Sequence, residues 1–178
     1  MIPKSLIKLI DEAIVPALVL IIVKMAAILI VSYFLKLDFE VNINGFTQFL
    51  PRLSFLSVHD YLLAENYSNL AMYTAAALGT LYIIIKAHFL HQSHVSPKVQ
   101  QKLASLNFEN IISSSFHLYH QAFIWLIFLW LTTAFLITST LIKVTYTPIT
   151  IIALIITINF TWIFATDVQK EIEINKYN

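Results

Sequence analysis

The stretch AIVPALVLIIVKMAAILIVSYFL, residues 13–35, decides the architecture, because it carries a single charge, Lys24, in an otherwise apolar run. About 20 such residues in a helix cross the ~30 Å hydrocarbon layer of a bilayer. Strands of a membrane barrel would alternate apolar and polar positions. Here Ile28, Leu29, Ile30 and Val31 are apolar in succession, so a helix is expected and a barrel is rejected. Working outward, three more segments meet the same length requirement: 69–90, 122–142 and 147–166. The third and fourth are separated only by Lys143 to Tyr146, and Pro148 suits the first turn of the fourth, which predicts a tight antiparallel hairpin.

Composition supports this layout. Of 178 residues, 58% are hydrophobic and 12% charged, with a mean hydropathy of +0.77, whereas a soluble domain carries about 25% charged residues. The absence of cysteine excludes disulfide scaffolds and thiolate metal sites, and a formal charge of +1 supplies no field for nucleic acid. With no internal repeat or low-complexity tract, the expected fold is one all-α domain over 1–178. It is a polytopic four-helix transmembrane bundle with short interfacial helices.

Basic residues resist translocation and so predict orientation. With the amino terminus inside, Lys4, Lys8, Lys86, Lys98, Lys102, Lys170 and Lys176 lie inside, while Lys36, Arg52 and Lys143 lie outside. Both termini are therefore expected in the cytoplasm, at the inner membrane if the source is bacterial. Tyr33, Tyr67, Tyr73 and Tyr146 are expected at the outer interface and Trp125 and Trp162 at the inner one. No small-x-small cleavage site follows the first apolar stretch, so that span is expected to stay in the membrane.

Two connections are long enough to be structured. Residues 36–68 are expected to cap the outer side: Phe39, Val41 and Ile43 alternate with Glu40, Asn42 and Asn44 before Gly45, as in a short strand ending at a turn. The apolar residues Phe46 to Leu56 around Pro51 suggest an interfacial or re-entrant segment, and Ser57 with Asp60 has the form of a capping box, so the second helix is expected to start there, well before its membrane portion. In the inner connection, 91–121, Ser96-Pro97 starts an amphipathic helix with Val99, Leu103 and Leu106 on one face, and Asn107 with Glu109 marks another helix start. Residues 2–12 are expected to form a separate interfacial helix before the chain turns into the membrane, and Asp167 to Asn178 a frayed helical end.

Lys24 lies 11 residues from each end of its span, roughly 16 Å from either interface and too deep for easy snorkelling. A central lysine costs roughly 3 kcal/mol, which the surrounding Ile, Leu, Val and Phe residues offset at about 0.3–0.6 kcal/mol each, so the span still inserts. The polar residues expected at its depth are Thr80, Thr132, Thr133, Thr157 and Asn159, with no carboxylate among them. Two outcomes follow: a neutral lysine hydrogen-bonded to those groups, or a charged one beside an acid of another subunit or a watery cavity. Its use would be a bond fixing helix register, a subunit contact, or a path for protons or ions.

Ala71, Ala75 and Gly79 form a stripe of small side chains suited to close helix packing, with Ala13, Ala17 and Ala27 of the first span as the expected counterpart. His88 and His91 share one face, as do His117 and His120, and antiparallel packing would bring the pairs together. That permits a haem or a divalent metal, although neutral histidines at an interface and no cofactor are the simpler expectation. Asn66-Tyr67-Ser68 matches a glycosylation acceptor. No phosphate-binding glycine loop, His-Glu-x-x-His or Gly-x-Ser-x-Gly is present. The leading expectation is thus a non-enzymatic integral membrane protein acting beside other protein subunits in the bilayer. The alternatives are a small transporter or channel with a polar path at Lys24 and Asn159, and a haem or metal protein using His88, His91, His117 and His120.

Overall fold

In the computed structural model, which describes residues 4–42, 52–89, 96–106 and 115–177, the chain is all-α apart from one small hairpin of strands. Helix α1 (Lys4–Leu35) leads to strands β1 (Phe39–Asn42) and β2 (Arg52–Phe55). Then come helices α2 (Val58–Phe89), α3 (Pro97–Ser105), α4 (Ser115–Leu141) and α5 (Thr147–Tyr177). Four helices contain stretches long and apolar enough to span a membrane: Ile10–Leu35, Val58–Phe89, His117–Leu141 and Thr147–Glu173. They pack on one another as a bundle, and the chain is a multi-pass integral membrane protein. At 32 residues α1 and α2 are each about 48 Å long, so their ends project past a ~30 Å hydrocarbon layer.

Helix boundaries follow local chemistry. Ser57 Oγ accepts the Asp60 N–H at 3.0 Å, capping α2, and Pro148 occupies the first turn of α5, where a missing N–H costs nothing. Helices α1 and α4 stop in the same way. Lys36 and Lys143 take left-handed conformations (φ 53° and 61°), and the N–H groups of Leu37 and Val144 bond to the carbonyls of Ser32 and Ser139, both at 2.9 Å. This is a Schellman closure with lysine where glycine is usual.

Several expectations are corrected. No separate amino-terminal helix exists over the described residues: α1 runs unbroken from Lys4, passing through Pro16. Arg52–Phe55 is a strand, not a re-entrant segment, and pairs antiparallel with β1 in the register Phe39↔Phe55 and Glu40↔Ser54. The rings of Phe39 and Phe55 stand 6.1 Å apart, and Phe55 stands 6.2 Å from Tyr61, which seats the hairpin on α2. Helix α2 starts at Val58, as the Ser57–Asp60 cap predicts, but the stretch able to span a membrane also begins there, about three turns before the expected residue 69, and α5 stays helical through Asp167 to Tyr177. Tyr73 is not an interfacial ring but a core one, 5% exposed, with its hydroxyl donating to the Ala153 carbonyl at 2.8 Å. The turn expected at Gly45 and the helix start at Asn107 and Glu109 lie outside the described residues.

Helix α2 is central: it packs against α1, α4 and α5. The core joins Leu20 of α1, Met72, Tyr73 and Ala76 of α2, Leu129 and Leu136 of α4, and Ala153 of α5. Lipid tails are as apolar as leucine, so burial alone does not hold such helices together, and close packing and interhelical hydrogen bonds take over. Those bonds are present along the bundle. Asn69 Nδ2 donates to Ser139 Oγ (3.2 Å), Thr145 Oγ1 to Asn66 Oδ1 (2.6 Å), and Trp130 Nε1 to Thr161 Oγ1 (3.1 Å), while the Thr133 and Thr157 hydroxyls meet at 2.8 Å. Each contributes about 0.6 kcal/mol, at most about 1.7.

Candidate functional site

The intramembrane site builds from α1 and α2. Lys24 Nζ donates to Glu65 Oε1 at 2.6 Å, an ion pair joining the two helices. The expectation that no carboxylate lies at the depth of Lys24 is thereby corrected. Because α2 is helical from Val58, Glu65 sits two turns inside it and within reach of the long lysine side chain. The ammonium also stands 5.9 Å from the centroid of the Phe135 ring on α4, within reach of a cation–π attraction. The two side chains are 27% and 29% exposed, so the pair is only partly covered by protein. Beside it a cleft of about 250 Å³ opens between α1, α2 and α4, walled by Ala17, Ile21, Met72, Phe128, Thr132 and Phe135 among others.

The other expected partners of Lys24 are used elsewhere. Thr80 is fully buried and donates to the Ala76 carbonyl (2.8 Å) and, more weakly, to that of Trp125 (3.3 Å). Thr133 bonds Thr157 and the Leu129 carbonyl. Thr132 lines the cleft, but its hydroxyl donates to the Leu129 carbonyl at 3.0 Å. Asn159 lies on an exposed face of α5 and donates back to the Ile155 carbonyl at 2.7 Å. Lys24 and Asn159 thus bond to different groups, Lys24 to Glu65 and Asn159 to its own helix backbone.

The small-residue stripe admits an aromatic ring as well as a neighbouring backbone. A β-carbon at Gly79 would fall on the six-membered ring of Trp125, so glycine is needed there for α4, not for α1 as expected. Trp125 accordingly packs inside the bundle, while Trp162 is 72% exposed. Ala75 packs against the core cluster, and Ala71 is half-buried.

At the end of the bundle that carries both termini, the histidines meet carboxylates that sequence reasoning had not paired with them. His117 Nδ1 lies 3.2 Å from Glu12 Oε1 and His120 Nε2 3.6 Å from Glu12 Oε2, so one residue of α1 faces both imidazoles of α4. Asp167 of α5 accepts from the Tyr119 hydroxyl (3.0 Å) and lies 3.1 Å from His88 Nδ1. His88 and the His117/His120 pair thus engage different acids on different helices. Among the described residues no three His, Asp or Glu side chains converge as metal ligands; His91 lies outside those residues. At the opposite end Asn66 is 8% exposed and bonded to Thr145, which closes it to a glycosylating enzyme.

Comparison with protein-family models, with curated proteins and with solved structures returned no significant match, so function rests on the chain's own residues.

Proposed function

We propose that this integral membrane protein is a non-enzymatic subunit of a membrane assembly, and that a transmembrane helix of another protein packs along α1 beside Lys24 and Glu65. The observation that carries this reading is the partly covered ion pair. Removing two charges from water costs several kcal/mol per ion, and an ion pair recovers that cost only when its remaining donors and acceptors are also satisfied. A pair left about a quarter exposed to hydrocarbon favours a neighbour that brings a hydroxyl or amide side chain to it.

Helix α1 is suited to receive that neighbour. Its span has the highest mean hydropathy of the four, 2.9, yet only 11% of it is buried within the chain, against 44% for α4. The cleft beside the pair offers a small residue, Ala17, and two adaptable methionines, Met25 and Met72, as a packing surface. Three acids of the helices are engaged with neighbouring side chains: Glu12 with His117 and His120, Glu65 with Lys24, and Asp167 with Tyr119 and His88. That engagement favours a structural role over catalysis.

Extraction in a mild detergent followed by native mass measurement tests the proposal. The expected particle contains this chain with a second membrane protein, and Ala17→Phe, which fills the cleft, releases that protein while far-ultraviolet dichroism stays unchanged. A strictly monomeric particle, or a complex indifferent to Ala17→Phe, would count against it.

A further inference from the structure

A second cleft, of about 280 Å³, opens at the opposite end of the bundle, between the first turns of α2 and the α4–α5 connection. One face of α2 forms its first wall: His59, Leu62, Leu63, Asn66 and Tyr67 follow the spacing of a single helical stripe. Lys143 and Tyr146 of the connection form the second. Asp60 points off this stripe, and among the described residues no carboxylate lines the cleft. Within this lining the Thr145 hydroxyl donates to Asn66 Oδ1. The available polar groups are therefore the Lys143 ammonium, the His59 imidazole and the hydroxyls of Tyr67 and Tyr146, all on exposed residues.

Position adds to this chemistry. Lys143 lies two residues past the end of the α4 span, in the left-handed conformation that closes the helix, and so in the short connection between two spans. Tyr67 and Tyr146 are 44% and 75% exposed, as expected of rings at the headgroup level. His59 lies in the first turn of α2 with Leu62 and Leu63 one turn further in, so the cleft sets a cation and donors beside an apolar wall, a combination that suits an amphiphile with an anionic head. We infer that this cleft binds the phosphate of an anionic membrane lipid, with Lys143 and His59 donating to the phosphate oxygens and the two leucines contacting the upper acyl chain.

Native mass spectrometry of the intact protein in detergent tests this, with phosphatidylglycerol as the probe and diacylglycerol of the same chains as the headgroup-free control. Phosphatidylglycerol is expected to be retained and diacylglycerol not. Retention should fall about fivefold in Lys143→Gln, the worth of one basic residue near an anionic surface, and further in the His59→Gln, Lys143→Gln double variant. Lys86→Gln, toward the other end of α2, should leave retention unchanged. Equal retention of the two lipids, an unaltered double variant, an equal loss in Lys86→Gln, or displacement by millimolar inorganic phosphate would each overturn the inference. Dichroism of the variants excludes unfolding as the cause.

Discussion

Replacing Glu65 by leucine should destabilise the protein far more than its partial exposure suggests, and replacing Lys24 as well should restore it. In the native bundle the ammonium lies 2.6 Å from a carboxylate oxygen. Without that oxygen a charged lysine remains near the middle of an apolar span, at roughly 3 kcal/mol on the insertion scale. Snorkelling and the Phe135 ring, 5.9 Å away, recover part of this. A net loss of about 2 kcal/mol is expected, about 30-fold in the folding equilibrium. Lys24→Leu should cost a similar amount by stranding Glu65. The double variant places two leucines against Phe135 and Met72 and should lie within about 1 kcal/mol of the native protein or exceed it, since apolar replacement of a desolvated pair is often neutral or stabilising. The assay is reversible unfolding by sodium dodecyl sulfate in mixed micelles, followed by far-ultraviolet dichroism. Additive single and double variants, or a neutral Glu65→Leu, would refute the ion-pair reasoning.

Other consequences follow from the packing. Gly79→Ala should lower stability by about 1–3 kcal/mol in the same assay, because its β-carbon meets the Trp125 ring, and Trp125→Leu in the same chain should relieve it. Lys36→Gly should raise stability by about 1 kcal/mol by relieving the left-handed backbone at the end of α1. Thr145→Val should cost about 0.6–1.7 kcal/mol by stranding the buried Asn66 amide. Purified protein should be colourless and contain no stoichiometric metal on elemental analysis, because His88 and the His117/His120 pair face different acids. A stoichiometric metal lost in His117→Ala would show that the imidazoles act as ligands instead.

Much of the fold was legible because the bilayer imposes a length scale. Four apolar stretches of sufficient length have no other simple use, and the short segment from Lys143 to Tyr146 leaves the last two helices no choice but to be neighbours. The start of α2 was legible in the Ser57–Asp60 capping box, but the packed part of the helix was placed too late because mean hydropathy drops at Glu65, Asn66 and Asn69. A different signal was present: Glu65, Asn69, Met72, Ala76 and Thr80 fall on one helical stripe, and all but the first are buried. Following that face instead of the average would have carried the span back to Glu65 and revealed the partner of Lys24. Tyr73 was misplaced for the same reason, since moving the helix start outward moves its ring to the centre. Strand β2 also carried a readable pattern, with Leu53 and Phe55 alternating against Arg52 and Ser54, but the apolar cluster around Pro51 outweighed it. The pairing of His117 and His120 with Glu12 and of His88 with Asp167 joins helices distant in sequence, and periodicity within one helix does not show which helices meet.

The arrangement of the spans is tested most directly by single-cysteine accessibility, for which the cysteine-free sequence is a ready background. In sealed vesicles an impermeant maleimide should label Lys36→Cys and Lys143→Cys from one face only, and Lys98→Cys and Lys170→Cys from the other only, while Leu20→Cys stays unlabelled from both. Labelling of positions 36 and 98 from the same face, or of position 20 in intact vesicles, would contradict a chain that crosses the bilayer four times with the middle of α1 inside the membrane.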